Sequence, residues 1–125
     1  MEPLDEDQHS LRIKGTSGKG RGVFAARDIK RGERIEAAPV IVMPDDHVEW
    51  LEKTALADYY YLWGDSHIAL VLGYGSLYNH STSPNVSFYP DAVNQIMVYE
   101  ARKKIRKDEE LLIDYQCRLW FDPVK

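Results

Sequence analysis

The apolar positions of this chain come in short bursts, not long periodic runs. Residues 11–14 (LRIK) alternate apolar and polar, the two-residue period of a strand with one buried face. Residues 15–22 (GTSGKGRG) carry four glycines in eight, which reads as a loop and not a strand interior. Residues 23–26 are apolar again, and 30–33 (KRGE) predict a turn. Residues 34–43 are apolar and partly alternating until Pro44 stops them. Residues 67–72 read as a buried strand that Gly73-Tyr74-Gly75 breaks. Residues 86–89 and 95–99 predict a hairpin around Pro90-Asp91, and a turn at 106–109 leads into a last strand over 111–115. Only 45–59 shows helical spacing, with Val48, Leu51, Ala55 and Tyr59 at three- and four-residue steps and Asp45 or Asp46 available as a cap. The pattern predicts a mainly β fold of several small sheets with one short helix. No internal repeat or linker is evident.

Length changes this picture little: 125 residues make one domain. Cysteine changes it more. Cys117 is the single cysteine, so neither an internal disulfide nor a cysteine-rich zinc cluster is available. The longest apolar run, Ile68 to Leu72, is too short to span a bilayer, and MEPLDEDQHS is too acidic for a secretory or transit signal. The expectation is a soluble protein of a reducing compartment: the cytoplasm, or the nucleus of a eukaryotic cell.

The net charge is −4, but it is unevenly spread. From Gln8 to Arg34 eight basic residues face two acidic ones. From Ile35 to Ala101 nine acidic residues face Lys53 alone. An acidic middle suits a basic ligand. The basic stretches, RKKIRK at 102–107 included, are interrupted, and the overall balance is acidic, which argues against direct nucleic-acid binding.

Three segments could carry chemistry. Gly20-Arg21-Gly22 before Val23-Phe24 lets backbone approach a ligand, though taken alone a tight turn before a strand is the better explanation. It is no dinucleotide fingerprint, because no helix follows within a βαβ unit. Asn79 to Asn85 (NHSTSPN) has the composition of a turn. His47, His67 and His80 have no zinc-motif spacing, so no metal site is expected. Glu109 to Tyr115 (EELLIDY) is an acidic turn entering a buried strand whose tyrosine could be plain core.

Taken together and in order, KGRGVFAARDIKRGERI, YNHSTSPN and KDEELLIDY make the chain resemble the SET domain of protein-lysine methyltransferases, in its minimal stand-alone form. The resemblance covers residues 10–121, between an acidic tail (1–9) and a short C-terminal tail (122–125). Residues 45–61 fall where that family carries its variable insert. It implies a β-clip fold in which a C-terminal segment, here Asp114-Tyr115-Gln116, passes knot-like against Tyr78-Asn79-His80-Ser81. It implies S-adenosylmethionine as cofactor, without a metal, and a basic protein or peptide as substrate, a histone or another chromosomal protein.

Residue by residue, Lys19, Gly20, Arg21 and Gly22 match the loop that holds the cofactor's amino-acid end. Tyr78, Asn79 and His80 match the stretch beside the knot, and Trp120, with Phe121 as rival, matches an aromatic that stacks on adenine. Tyr115 matches the active-site tyrosine. An ordinary phenol titrates near 10, so its expected work is orientation and electrostatics, not general base catalysis. Phe88, Tyr74, Ile113 and one of Tyr59, Tyr60 and Tyr61, with Tyr61 preferred, match an aromatic and apolar lysine channel.

The chain departs from the family pattern at Thr82, where many members carry a zinc-ligating cysteine. Closure of the site then falls to residues 116–125, or to a partner, which leaves a homodimer possible. Ile113 and Leu119 flank the tyrosine without a hydroxyl, and Phe88 in place of a tyrosine leaves more room near the amine, so more than one methylation is expected. The alternative reading is a catalytically weak SET-like module that binds peptide or cofactor.

Overall fold

A computed structural model of the chain describes residues 10–16, 18 and 20–115. β1 (Leu11–Thr16) and β2 (Gly20–Ala25) form an antiparallel hairpin from Leu11 opposite Ala25 to Thr16 opposite Gly20. The expected glycine loop is therefore mostly strand. The ladder closes at Thr16 opposite Gly20, with Gly18 and Gly20 at φ +82° and +73°, conformations that favour glycine.

β3 (Arg34–Pro44) is the long central strand of a five-stranded sheet. The others are β4 (Tyr60–Leu62), β5 (His67–Val71), β7 (Val86–Asp91) and β8 (Ile96–Ala101), in the order β4-β5-β3-β8-β7. The expected hairpin is present, β7 and β8 pairing from Val86 opposite Ala101 to Asp91 opposite Ile96. A second sheet, in the order β1-β2-β9-β6, adds β6 (Asn79–His80) and β9 (Glu110–Ile113). The β6–β9 pair is parallel, which no local pattern in the sequence announces.

The helix expected over 45–59 is broken into a 3-10 turn (Asp45–His47), α1 (Val48–Leu51) and a second 3-10 turn (Ala55–Asp58). Neither Asp45 nor Asp46 caps it, since Pro44 occupies the cap position. Thr54 interrupts the run. Its hydroxyl donates to the Leu51 carbonyl at 2.8 Å and accepts the Leu56 N–H at 3.1 Å, which offers the backbone an alternative to the helix.

Two turns are near copies of each other. In IKRGE (29–33) and IRKDE (105–109) the second residue's N–H donates to the final glutamate side chain, Lys30 to Glu33 at 3.1 Å and Arg106 to Glu109 at 3.0 Å. Each has its fourth residue at positive φ, +83° at Gly32 and +72° at Asp108. Ile29 and Ile105 bridge the two turns, exchanging N–H···O bonds of 2.7 and 2.9 Å. Both isoleucines are buried, and they join Val23, Tyr61, Tyr78, Tyr99, Leu111 and Ile113 in one core beneath both sheets.

Candidate functional site

The parallel pair brings the middle and final motifs together. Asn79 lies opposite Leu112 and His80 opposite Ile113, and the Ser81 N–H donates to the Ile113 carbonyl at 2.9 Å. Beyond β9, the Tyr115 N–H donates to His80 Nδ1 at 2.9 Å. That bond makes Nδ1 an acceptor, so the 3.8 Å approach of Asp114 Oδ1 to the same nitrogen is proximity and not an ion pair. The Tyr115 hydroxyl donates to the Tyr78 carbonyl at 2.8 Å. Asp114 and Tyr115 thus lie against Tyr78 to Ser81, as expected.

Asn79 reaches the other way, to the glycine strand. Its Nδ2 donates to the Arg21 carbonyl at 3.1 Å and to Glu110 Oε2 at 2.8 Å. Gly22 sits under this pair. A Cβ there would fall 2.5 Å from Glu110 Oε2 and 2.9 Å from Asn79 Nδ2. Close approach, not backbone conformation, makes this position glycine.

Asn85 is 5% exposed and holds β9 through its amide. Its Nδ2 donates to the Glu110 carbonyl at 2.9 Å, and its Oδ1 accepts the Leu112 N–H at 2.8 Å. The amide completes the edge of a strand that no backbone partner covers there.

Glu36, on β3, fastens the turn that precedes β6. Its Oε1 accepts the Tyr78 hydroxyl at 2.7 Å and its Oε2 the Tyr74 N–H at 3.1 Å. Burial raises the Glu36 pKa above the ordinary carboxylate value, against the lowering effect of these two bonds. Burial, then the nearby Glu36 charge, pushes the Tyr78 phenol well above 10. Gly73, at φ +69°, leaves room for the carboxylate, since a Cβ there would meet Glu36 Oε2 at 2.7 Å.

Behind these residues lies a packed aromatic cluster. The Tyr61 hydroxyl donates to the Gly75 carbonyl at 2.7 Å and accepts from the Tyr99 hydroxyl at 2.9 Å. Phe88 meets the Tyr61 ring edge-on, centroids 5.3 Å apart, and Tyr78 packs on Tyr99 at 4.9 Å. Tyr74, Phe88 and Tyr115 are partly buried against this core.

The strand pairing, the glycine cradle and the tyrosine held on a carbonyl are accompanied by a direct match. The SET domain family matches residues 20–116. The chain belongs to the SET-domain family. It is 38% identical over 113 residues to a histone-lysine N-methyltransferase of Schizosaccharomyces pombe described as specific for H3 lysine-37, covering 90% of this chain and 77% of that one. It is similar to the crystal structure of a Plasmodium falciparum protein described as a histone methyltransferase, with a TM-score of 0.71 and 36% identity, covering 86% of this chain and 94% of that one. The Neurospora SET domain protein DIM-5, at 21% identity and a TM-score of 0.68 over 84% of this chain and 51% of that one, shares the fold.

This SET domain brings together Gly20, Arg21, Gly22, Tyr78, Asn79, His80 and Tyr115 from the expected set. Tyr61 and Ile113, each 1% exposed, are core side chains that stand behind any channel surface. Lys19, Gln116, Cys117, Leu119, Trp120 and Phe121 lie outside the described residues. Glu36, Glu110, Asn85 and Tyr99 are partners that the sequence reading did not single out. Glu36 had a signal, as the one charge between Ile35 and Met43 in an otherwise apolar strand. Among the described residues, no three His, Cys, Asp or Glu side chains gather into a metal site. Met43 of β3 and His47, Trp50, Leu51, Thr54 and Leu56 of the insert line a groove of about 260 Å³, with Asp45, Asp46, Glu49 and Glu52 exposed on the insert.

Proposed function

We propose that this chain is a protein-lysine N-methyltransferase that uses S-adenosylmethionine to methylate a basic, histone-like tail. The observation that carries the reading is the Tyr115 hydroxyl bonded to the Tyr78 carbonyl, one residue from the Asn79–Gly22 cradle. Family membership, and relatives described as histone methyltransferases, support it.

The cradle suits the amino-acid end of such a cofactor. Asn79 Nδ2 is committed to Arg21 and Glu110, so a ligand that bonds this amide does so at Oδ1, an acceptor, which an ammonium requires. The Arg21 guanidinium is exposed and makes no ion pair with the described residues, so it can meet a carboxylate. Lys19, Gly20, Gly22 and the His80 backbone complete the set, with Trp120 closing over the adenine. When bound, S-adenosylmethionine supplies an electrophilic methyl on a sulfonium.

The protein's own part is to present a neutral amine in line. At pH 7 roughly one free lysine in 2,500 is neutral, so the site must favour that form by excluding water. Tyr74 and Phe88, backed by Tyr61 and Tyr99, form the apolar wall that does so. The Tyr115 proton points at the Tyr78 carbonyl, so any further bond at the Tyr115 oxygen is one it accepts. It therefore takes an N–H of the amine and leaves the nitrogen lone pair for the methyl. The amine proton leaves to water. The acidic insert attracts the basic tail.

The test is transfer of labelled methyl to histones and other basic proteins, wild type against Tyr115→Phe, with cofactor binding by calorimetry. Transfer that the substitution abolishes supports the reading. Cofactor binding without transfer by the wild type would make the chain a binding module instead.

A further inference from the structure

The two basic stretches, separate in sequence, are one surface in the fold. The Ile29–Ile105 bridge joins the turn 29–33 to the turn 105–109, and the Gly32 N–H donates to the Ala101 carbonyl at 2.8 Å. Both isoleucines are buried in the core, while Lys30 and Lys104, which flank the bridge, are exposed.

The carboxylates of this region are already committed. Glu33 pairs with Arg27 and accepts the Lys30 N–H. Asp28 accepts the Lys107 N–H at 2.8 Å, Glu109 accepts the Arg106 N–H, and Asp108 lies 3.9 Å from Lys14 Nζ. By contrast Lys30, Arg31, Arg102, Lys103, Lys104 and Lys107 are exposed and make no ion pair with the described residues. Residues 27–34 and 101–109 themselves expose no large apolar side chain, and Ile13 stands beside Lys14 at their margin. The large exposed apolar side chains among the described residues, such as Ile41, Trp50, Leu56 and Val93, all lie outside 27–34 and 101–109.

We propose that this basic face binds the phosphate backbone of duplex DNA. A protein partner would need an apolar anchor at the centre of its interface, and single-stranded nucleic acid would need aromatic platforms. The face offers neither, whereas a regularly spaced polyanion needs only cations. The face is built of two turns, 29–33 and 105–109, and carries neither a helix nor a β-ribbon to enter a major groove, so binding is indifferent to sequence. The choice of DNA rests on the histone-like substrate reading, because such a tail is presented beside DNA. Interruption of the basic stretches in sequence argued against nucleic acid, and the fold removes that interruption.

The test is fluorescence anisotropy with a short labelled DNA duplex, without cofactor or peptide, so that it is independent of methyl transfer. Binding should weaken steeply with salt, with a log–log slope beyond about −2.7 for three or more phosphates. Two unrelated duplexes should bind alike. The double variant Lys103→Glu/Lys104→Glu should bind at least about tenfold more weakly and flatten the slope by about 2. Lys53→Glu, in the acidic insert, should bind as wild type does. A slope near zero, an unchanged double variant, or equal affinity for a polyglutamate of matched charge would overturn the proposal. Circular dichroism of each variant should match that of the wild type, since these substitutions are exposed.

Discussion

The Tyr115 hydroxyl donates to the carbonyl of Tyr78 at 2.8 Å, while the Tyr115 N–H donates to His80 at 2.9 Å. Two bonds from one residue therefore fix both the backbone and the ring tip against β6 and its entry. Tyr115→Phe keeps the ring and the N–H bond and removes only the hydroxyl. The expected result is a loss of about 10²–10³ in kcat, with cofactor affinity and peptide KM within about twofold. Steady-state kinetics with calorimetry would show it. A matching rise in KM would instead make Tyr115 a binding residue.

Gly22→Ala is expected to impair cofactor binding before it impairs folding. The new methyl falls 2.5 Å from Glu110 Oε2 and 2.9 Å from Asn79 Nδ2, so the two side chains must part. Gly20→Ala meets nothing within 4 Å but sits at φ +73°, so its cost, about 1–2 kcal/mol, is backbone strain. Calorimetry should therefore show a roughly tenfold weaker cofactor for Gly22→Ala. Urea titration should show the larger stability loss for Gly20→Ala. The reverse pattern would remove the cradle from the cofactor site.

The strands were legible because alternation and turn residues are local signals. So were the three motifs, whose order pointed to the family. The parallel pairing of Asn79–His80 with Leu112–Ile113 was legible only through that resemblance, because a two-residue strand has no period to read. The helix over 45–59 was misread because periodicity does not register a Thr54 hydroxyl that diverts the backbone. Glu36 was passed over because its donors, Tyr74 and Tyr78, lie about forty residues away, beyond any local pattern.

Asn85 acts as a piece of backbone. Its amide pairs with both the Glu110 carbonyl and the Leu112 N–H while 5% exposed. Asn85→Ala takes this partner from both part-buried groups and opens a gap at a 5% exposed site, which should cost about 2–4 kcal/mol in urea unfolding. Asn85→Asp keeps the acceptor for Leu112 but turns a carboxylate toward the Glu110 carbonyl and Glu109. It should be worse at neutral pH and recover partly on acidification. Equal stability of Asn85→Asp at all pH values would contradict this account.

Glu36 and Glu33 should give opposite pH signatures. Burial raises the Glu36 pKa, so its contribution is full below the ordinary value of 4.5 and is lost as pH rises through the raised folded value. The stability advantage of wild type over Glu36→Gln should therefore shrink as pH climbs above 4.5. The hydrogen bond from Arg27 lowers the Glu33 pKa, so its contribution is present above 4.5 and lost as pH falls. That effect is small, because the pair is substantially exposed. Urea midpoints across acid and neutral pH measure both. An advantage over Glu36→Gln that grew with pH would mean that the Tyr78 and Tyr74 bonds outweigh burial.

Phe88 bears on how many methyl groups the amine can take. Its ring meets Tyr61 edge-on at 5.3 Å and Tyr99 at 5.8 Å, part-buried in the aromatic wall. With no hydroxyl at Phe88, that side of the wall offers a methylated amine no competing bond and more space to turn its lone pair toward a new methyl. Wild type is thus expected to carry a peptide lysine past monomethylation. Phe88→Tyr adds a polar group that can hold an N–H or a water, and should shift the product toward monomethyl without a large loss in the first transfer. Mass spectrometry of peptide at exhaustion reads this directly. Monomethyl product alone from the wild type would show that the Phe88 side of the wall does not set the limit.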